Sequence, residues 1–139
     1  METSAEFSDL LGKTLTKVVA SVGSFSVVFT TIEGETYELR HDQCCCEDVR
    51  IEDICGDLSD LVWSPLRQAE ESTNAENPKG NPNSFTWTFY RLATNKGAVT
   101  IRFYGTSNGY YSERVDFYKL QGPKHIPEES VVVPAEEEI

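Results

Sequence analysis

The residues best suited to chemistry stand close together near the middle of the chain, where His41 is followed by Cys44, Cys45 and Cys46. Imidazole and thiolate are ligands that zinc prefers, and this spacing could bring them to one turn. However, the chain has no Cys-x-x-Cys pair, and in an extended segment Cys45 would face away from its two neighbours. Buried cysteine is more often a small core residue. We therefore predict no cofactor, with zinc bound by His41, Cys44, Cys45 and Cys46 as a weaker alternative.

Two kinds of catalysis could use the same region. A cysteine could act as a nucleophile with His41 as its base, which requires a hydrogen bond between them and a third group that orients the base. Carboxylates could bind a divalent ion or form an acid–base pair, and they are Glu47, Asp48, Glu52, Asp53, Asp57 and Asp60. Such a cluster is more often a solvated rim, and no glycine-rich phosphate loop accompanies it. We predict that the protein is not an enzyme and keep a metal-dependent enzyme as the second alternative.

A third set of residues suits binding rather than catalysis. Arg102 and Tyr104 alternate on one face of a predicted strand, and further aromatic and polar residues surround the turn that follows. A guanidinium can pair with a phosphate in a bidentate manner, and an aromatic ring can stack on a base. The same side chains could also make ordinary cross-strand contacts, with Glu113 or Asp116 as the partners of the arginines. The predicted binding residues are Arg102, Tyr104, Asn108, Tyr110, Tyr111 and Arg114, with His41 as an additional candidate.

The elements that must position these residues are mostly β-strands. Thr- and Val-rich or alternating segments predict strands over residues 13–19, 24–31 and 36–40, which short turns would join into an antiparallel meander. Strands over residues 85–94, 98–104 and 110–118 would form a second meander, with a turn over 105–109. Each meander must bury one face. We therefore predict a mostly β fold (α+β at most), with two antiparallel three-stranded meanders packed as a sandwich or a partly open barrel.

The segments outside these meanders are less regular. A helical turn is predicted over residues 7–11, where Gly12 would end it. Between the meanders, the patterns predict a fourth strand over residues 48–54 and a short helix over 57–63, which begins after Asp57 and ends before Pro65. A strand over 66–71 and a polar loop over 72–84 are predicted to follow.

Charge and termini limit the possible partners. The formal net charge of the 139 residues is −11, and without the segment after Gly122 it is still −7. Such an acidic chain is not suited to binding nucleic-acid backbones in general. The N-terminus does not resemble a signal peptide, no apolar run could span a bilayer, and the four cysteines lack the spacing of a secreted framework. We expect one soluble domain over residues 1–120, a disordered acidic tail over 121–139, a cytoplasmic location and no membrane contact.

Several short motifs also carry a resemblance. They are His41-Asp42-Gln43 before Cys45-Cys46-Glu47, Ile51-Glu52-Asp53-Ile54, Gly56-Asp57-Leu58, Thr86-Trp87-Thr88-Phe89-Tyr90, Val99-Thr100-Ile101-Arg102 and Ser107-Asn108-Gly109-Tyr110-Tyr111-Ser112-Glu113. In these motifs, over roughly residues 9–120, the chain resembles an uncharacterised family of small proteins encoded mainly by phages and prophages. Cys44 departs from the acidic residue expected before the cysteine pair, and the tail is additional to the family pattern.

The resemblance implies a bacterial host cell and, for a small protein without catalytic motifs, a counter-defence role. We predict a binding protein that sequesters a small anionic, nucleotide-derived immune signal without catalysis. The first alternative is an acidic inhibitor that binds a host defence protein directly. A phage structural component is a further alternative. The edges of two open sheets would also allow a homo-oligomer.

Overall fold

The computed structural model describes residues 2–42, 47–76, 84–107 and 113–120. These ranges contain nine strands and two four-residue 3-10 turns, Phe7–Leu10 and Leu58–Leu61. The strands are β1 (Glu2–Ser4), β2 (Leu15–Val19), β3 (Ser26–Thr31), β4 (Thr36–Arg40), β5 (Asp48–Cys55), β6 (Gln68–Glu76), β7 (Ser84–Thr94), β8 (Gly97–Ser107) and β9 (Asp116–Leu120). Within these ranges no helix is long and apolar enough to cross a membrane. The predicted tail, residues 121–139, lies outside them.

The strands form two antiparallel sheets. The five-stranded sheet has the order β1-β9-β4-β3-β2, and the four-stranded sheet has the order β5-β8-β7-β6. All the neighbouring pairs are antiparallel. The predicted class, a mostly β fold of two packed antiparallel sheets with short helical turns, is confirmed, and the described strands do not close into a barrel. Each sheet contains more strands than the three that were predicted.

The first predicted meander is present as β2, β3 and β4. Its second turn is tight: the Gly34 amide donates to the Thr31 carbonyl at 3.0 Å, and the Thr31 amide donates to the Glu35 carbonyl at 2.8 Å. Gly34 has a φ of 91°, which a residue without a β-carbon adopts at little cost. The glycine therefore fixes the register of β3 against β4.

The predicted strand over residues 110–118, running back beside β8, is wrong. The last described strand is β9, at Asp116–Leu120, and it pairs with β4 and β1 in the other sheet. The position beside β8 is taken by β5, while residues 108–112 lie outside the described ranges. An alternating pattern shows which residues share a face but does not identify the neighbouring strand, and pairing partners can be far away in sequence.

Smaller differences concern the ends of elements. Gly105 lies inside β8 rather than in a turn, because β8 continues to Ser107. The helix predicted over 57–63 is a single 3-10 turn, in which Asp57 caps the Ser59 amide at 3.0 Å. The strand β6 extends to Glu76 and so occupies part of the predicted loop. In β6 and β8, strand pairing extends further than local composition indicates.

The inner faces of both sheets share one hydrophobic core. Phe7, from the first 3-10 turn, lies at its centre and contacts aromatic rings of both sheets. Its ring centroid is 4.8 Å from that of Tyr90, 5.4 Å from that of Phe117 and 6.2 Å from that of Phe29. Edge-to-face contacts of this kind add to the burial energy of the rings. The N-terminal turn is therefore part of the core.

Backbone hydrogen bonds also join the two sheets. The Trp63 amide donates to the Leu15 carbonyl at 2.7 Å, so the segment after the second 3-10 turn lies along β2. The Gly23 amide donates to the Ile51 carbonyl at 2.8 Å, and the Ile51 amide donates to the Ser24 carbonyl at 2.9 Å. The turn between β2 and β3 therefore binds β5 of the other sheet. These contacts hold the sandwich together beyond side-chain packing.

Candidate ligand-binding face

The orientation of β7 is the most informative feature of the four-stranded sheet. Thr88 and Tyr90 are buried, at 3% and 1% exposure, whereas Phe85, Trp87 and Phe89 alternate with them and are partly exposed on the opposite face. Burial alone would favour placing the three larger apolar rings inside and the threonine outside. A cluster of aromatic rings on a solvent face is typical of a binding surface.

Two residues of β8 complete this surface, which we call the outer aromatic face: Phe85, Trp87, Phe89, Arg102 and Tyr104. Tyr104 is the register partner of Trp87, and their ring centroids are 4.3 Å apart. Arg102 is the register partner of Phe89, and its guanidinium carbon lies 4.7 Å from the centre of the Trp87 ring. The face thus combines a closely packed, tilted pair of rings with a cation held over one of them.

The guanidinium of Arg102 keeps unused hydrogen-bond donors. Its Nη2 lies 3.5 Å from Oδ2 of Asp53, at the outer limit of a hydrogen bond, and its Nε has no acceptor among the described residues. The side chain is 38% exposed, so solvent or a ligand can reach it. A guanidinium carries five N–H donors in a planar fork. Arg102 is therefore able to accept an anionic partner.

A second arginine repeats this arrangement one row further along the sheet. The guanidinium carbon of Arg91 lies 5.5 Å from the centre of the Phe89 ring, and its Nη1 donates to Oγ of Ser72 at 3.0 Å. Within the described ranges no carboxylate lies within ion-pair distance of Arg91. Its remaining donors face the same surface as those of Arg102.

Cys55 borders this face and has the properties of an unreactive thiol. It is exposed and donates to Oδ2 of Asp53 at 3.3 Å. The hydrogen bond to Asp53 and the negative charge of that carboxylate raise the pKa of the Cys55 thiol. Since the thiolate is the nucleophilic form, Cys55 is poorly suited to nucleophilic catalysis.

The other predicted binding residues fall into two groups. Asn108, Tyr110 and Tyr111 lie outside the described residues. Arg114 precedes β9 of the five-stranded sheet, and its side chain is 79% exposed and pairs with Asp116 at 3.1 Å. The structure thus brings Arg102 and Tyr104 together on the outer aromatic face and places Arg114 beside the other sheet.

His41 makes a buried structural contact. Its Nδ1 lies 2.7 Å from the carbonyl oxygen of Arg114, and its Nε2 lies 2.8 Å from Oε2 of Glu47. The His41 and Glu47 side chains are only 5% and 1% exposed. Both ring nitrogens are engaged, so in this arrangement His41 offers no lone pair to a metal or ligand.

The metal candidates are not brought together in the described part of the chain. Cys44, Cys45 and Cys46 lie outside it, and within it no three His, Cys, Asp or Glu side chains could hold an ion together. The carboxylate cluster is divided among separate contacts: Asp48 pairs with Arg50 at 3.0 Å, Asp53 faces Arg102, and Asp57 caps a 3-10 turn. These carboxylates act as local partners rather than as one site.

Sequence reasoning missed a buried carboxylate beside this region. Glu113 is 7% exposed, and it accepts hydrogen bonds of 2.5 Å from the hydroxyls of Thr86 and Ser107. It packs over Gly105, where an added β-carbon would lie 3.1 Å from that of Glu113. Glu113 was considered only as a possible partner of an arginine, and no local pattern predicts its burial. The outward rings also lacked a clear signal, because Tyr90 and Leu92 lie on the other face of the same strand and alternation alone does not show which face meets the core.

Comparisons with known proteins identify a family but not a function. No curated protein and no solved structure matches the chain. The family model described as "Domain of unknown function (DUF7448)" matches residues 8–117, which include β2 to β8 and all of the outer aromatic face. The chain therefore belongs to this family of uncharacterised domains.

Proposed function

We propose that the protein binds a small, planar, anionic ligand of the nucleotide class on its outer aromatic face and holds it without catalysis. The observation that carries this proposal is the partly exposed guanidinium of Arg102, which lies over the Trp87 ring and has only a long contact of 3.5 Å with Asp53. A nucleotide offers a planar base and a phosphate, which match these two groups.

Each part of such a ligand has a partner on this face. The base would stack on Trp87 and Tyr104, and stacking on an aromatic ring contributes about 1–3 kcal/mol per base. The phosphate would replace Asp53 as the acceptor of Arg102, because a bidentate, charge-assisted pair is stronger than a contact of 3.5 Å. Asp53 would then act as a competitor that lowers the affinity for weakly charged ligands.

The acidic character of the chain favours a small ligand over a long polyanion. A net charge of −11 repels a nucleic-acid backbone, which is bound through many phosphate contacts. A nucleotide carries few charges, so two nearby guanidinium groups can offset them. Sequestration of a nucleotide-derived signal suits this balance better than nucleic-acid binding does.

The biological role that we propose is counter-defence in the cytoplasm of a bacterial host. Its support is the motif resemblance to proteins of phages and prophages, together with the binding chemistry above. The raised pKa of Cys55, a thiol that borders the face, favours binding over covalent chemistry there.

The test is calorimetric titration of the purified protein with AMP. The parent should bind, and Arg102→Ala should abolish binding while its circular dichroism spectrum stays unchanged. Arg102→Lys keeps the positive charge but loses the planar, forked set of N–H donors, so this variant should bind AMP more weakly than the parent does. Arg67→Ala removes an exposed arginine outside this face and serves as the control. If Arg102→Ala binds AMP as well as the parent does, the proposed site is wrong.

A direct inhibitor of a host defence protein is the second candidate. It is favoured by Glu70 and Glu71, exposed carboxylates on the edge strand β6 that could contact a basic protein. Native mass spectrometry of protein purified from bacterial cells separates the two candidates. A released compound of nucleotide mass supports sequestration. A spectrum that shows the protein mass without a bound compound, together with salt-sensitive binding to a basic host protein, supports the inhibitor. The same spectrum gives the oligomeric state.

A further inference from the structure

We infer that the outer aromatic face binds a ligand with two bases joined through a phosphate, a dinucleotide, rather than a mononucleotide. This inference rests on the proposed function and specifies its ligand. The basis is that the face repeats one arrangement twice. We call each ring with an arginine over it a bay. In the first bay, the Arg102 guanidinium carbon lies 4.7 Å from the centre of the Trp87 ring, and in the second bay, the Arg91 guanidinium carbon lies 5.5 Å from the centre of the Phe89 ring.

The spacing of the two bays selects the shape of the ligand. Trp87 and Phe89 are two residues apart on one strand, so their α-carbons are separated by about 6.8 Å. Bases stacked on each other are about 3.4 Å apart. Two bases that each stack on their own ring must therefore be splayed apart, as unstacked bases are when proteins recognise single strands.

Arg102 has a position suited to the phosphate that joins the two bases. It is the register partner of Phe89, yet its guanidinium lies over the Trp87 ring, so it spans the two bays. Its Nη2 lies 3.5 Å from Oδ2 of Asp53, a contact weak enough for a phosphate to replace. Arg91, at the far side of Phe89, would pair with a second phosphate through donors that Ser72 does not occupy.

Carboxylates and polar side chains define the limits of the two bays. Glu70 is the register partner of Arg91 at one end, and Asp48 lies in the row of Phe85 at the other. Both are exposed; Asp48 is paired with Arg50 at 3.0 Å, and Glu70 would compete with a phosphate for Arg91 as Asp53 does for Arg102. Asn74 and Ser72, register partners of Trp87 and Phe89, are exposed on β6 where they could hydrogen-bond base edges.

The experiment titrates the full chain with three probes: AMP, the 5′-phosphorylated diadenylate pApA, and adenosine 3′,5′-bisphosphate. We expect pApA to bind about tenfold more tightly than AMP, since a second stacked base contributes about 1–3 kcal/mol. Phe89→Ala should reduce the affinity for pApA to that for adenosine 3′,5′-bisphosphate, which offers two phosphates but only one base. Phe89→Leu should reduce the affinity for pApA in the same way. Because it keeps an apolar side chain at this position, this variant controls for a folding defect in Phe89→Ala.

The outcomes separate the inference from the proposed function. If AMP binds through Arg102 but pApA binds no more tightly, the two-bay inference is overturned and the proposed function stands. If the bisphosphate binds as tightly as pApA, the gain comes from charge, which also overturns the inference. If neither AMP nor pApA binds, both fail.

Discussion

His41 and Glu47 form a buried ion pair that joins the two sheets. His41 follows β4 of the five-stranded sheet, Glu47 precedes β5 of the four-stranded sheet, and Nε2 of the imidazole lies 2.8 Å from Oε2 of the carboxylate. The other ring nitrogen faces the carbonyl of Arg114, just before β9. A carbonyl only accepts, so Nδ1 donates to it, and the imidazole connects the end of β4 with the segments that lead into β5 and β9.

Removing this imidazole should destabilise the fold strongly. His41→Ala removes the imidazole that contacts the buried Glu47 carboxylate, and losing one member of a buried pair costs about 3–5 kcal/mol. Chemical denaturation measures the loss in the free energy of unfolding. Arg114→Ala is the matched control, because it keeps the carbonyl that accepts from His41 and shortens a side chain that is 79% exposed, whose ion pair with Asp116 contributes about 1 kcal/mol or less. Equal losses in the two variants would show that the imidazole does not hold the sheets together.

Two glycines with positive φ should respond differently to alanine. Gly34 has a φ of 91° and open space where a β-carbon would be, so Gly34→Ala should lose about 1–2 kcal/mol from backbone strain alone. Gly56 has a φ of 112°, and a β-carbon there would lie 2.5 Å from the Ala98 carbonyl oxygen. Gly56→Ala should therefore lose about 1–3 kcal/mol more. Urea unfolding of both variants tests this order, and a smaller loss at Gly56 would contradict it.

The titration of Tyr118 should depend on Asp42. The hydroxyl of Tyr118 donates to the Asp42 carboxylate, which raises the pKa of Tyr118 to about 12. Asp42→Asn should move this pKa down towards the ordinary value of about 10. Absorbance of the phenolate against pH measures the shift, and Tyr118→Phe identifies which transition belongs to this residue. An unchanged transition in Asp42→Asn would exclude this hydrogen bond in solution.

The same pair predicts the direction of two pH effects on stability. Since the folded pKa of Tyr118 is raised, its phenol stabilises the fold fully below pH 10, and the contribution is lost as the pH rises through about 12. The hydrogen bonds from Tyr118 and Arg40 lower the pKa of Asp42. This carboxylate therefore stabilises the fold above its unfolded pKa of about 3.9, and the stabilisation is lost as the pH falls through the folded pKa. Thermal unfolding of the parent and of Asp42→Asn across this range measures both effects, and parallel pH profiles would contradict them.

Phe7 should be one of the most sensitive positions in the core. Its ring is 4% exposed and contacts Phe29, Tyr90 and Phe117, so Phe7→Ala should cost about 3–5 kcal/mol. Phe25→Ala removes a ring that is 54% exposed, and it should change the free energy of unfolding by about 1 kcal/mol or less. A small loss for Phe7→Ala would mean that the N-terminal turn does not belong to the core.

Local patterns were sufficient to predict most of the strands. Short turns join β2 to β3, β3 to β4 and β7 to β8, so neighbours in sequence are also neighbours in the sheet. The partner of β9 could not be predicted in this way, because the paired residues of β4 lie about 80 positions earlier in the chain. Choosing between β4 and β8 depends on the packing of the whole core, which no short window contains.

The candidate site was predictable in part for a similar reason. Arg102 and Tyr104 share a face because side chains alternate along a strand. Their neighbours Trp87 and Phe89 were missed, since both faces of β7 are apolar and alternation alone does not show which one meets the core. The burial of Glu113 depends on hydroxyls of Thr86 and Ser107, which only the folded chain brings together.

The pairing of β1 with β9 determines how the domain would respond to mechanical force. Glu2 lies opposite Leu120, and the hydrogen-bonded pairs continue inward to Ser4 and Tyr118. Force applied between residues 2 and 120 would load these bonds one after another, as in opening a zipper, rather than all at once in shear. We expect β1 to peel away at low force, while the β4–β9 ladder and the core keep the remaining sandwich intact.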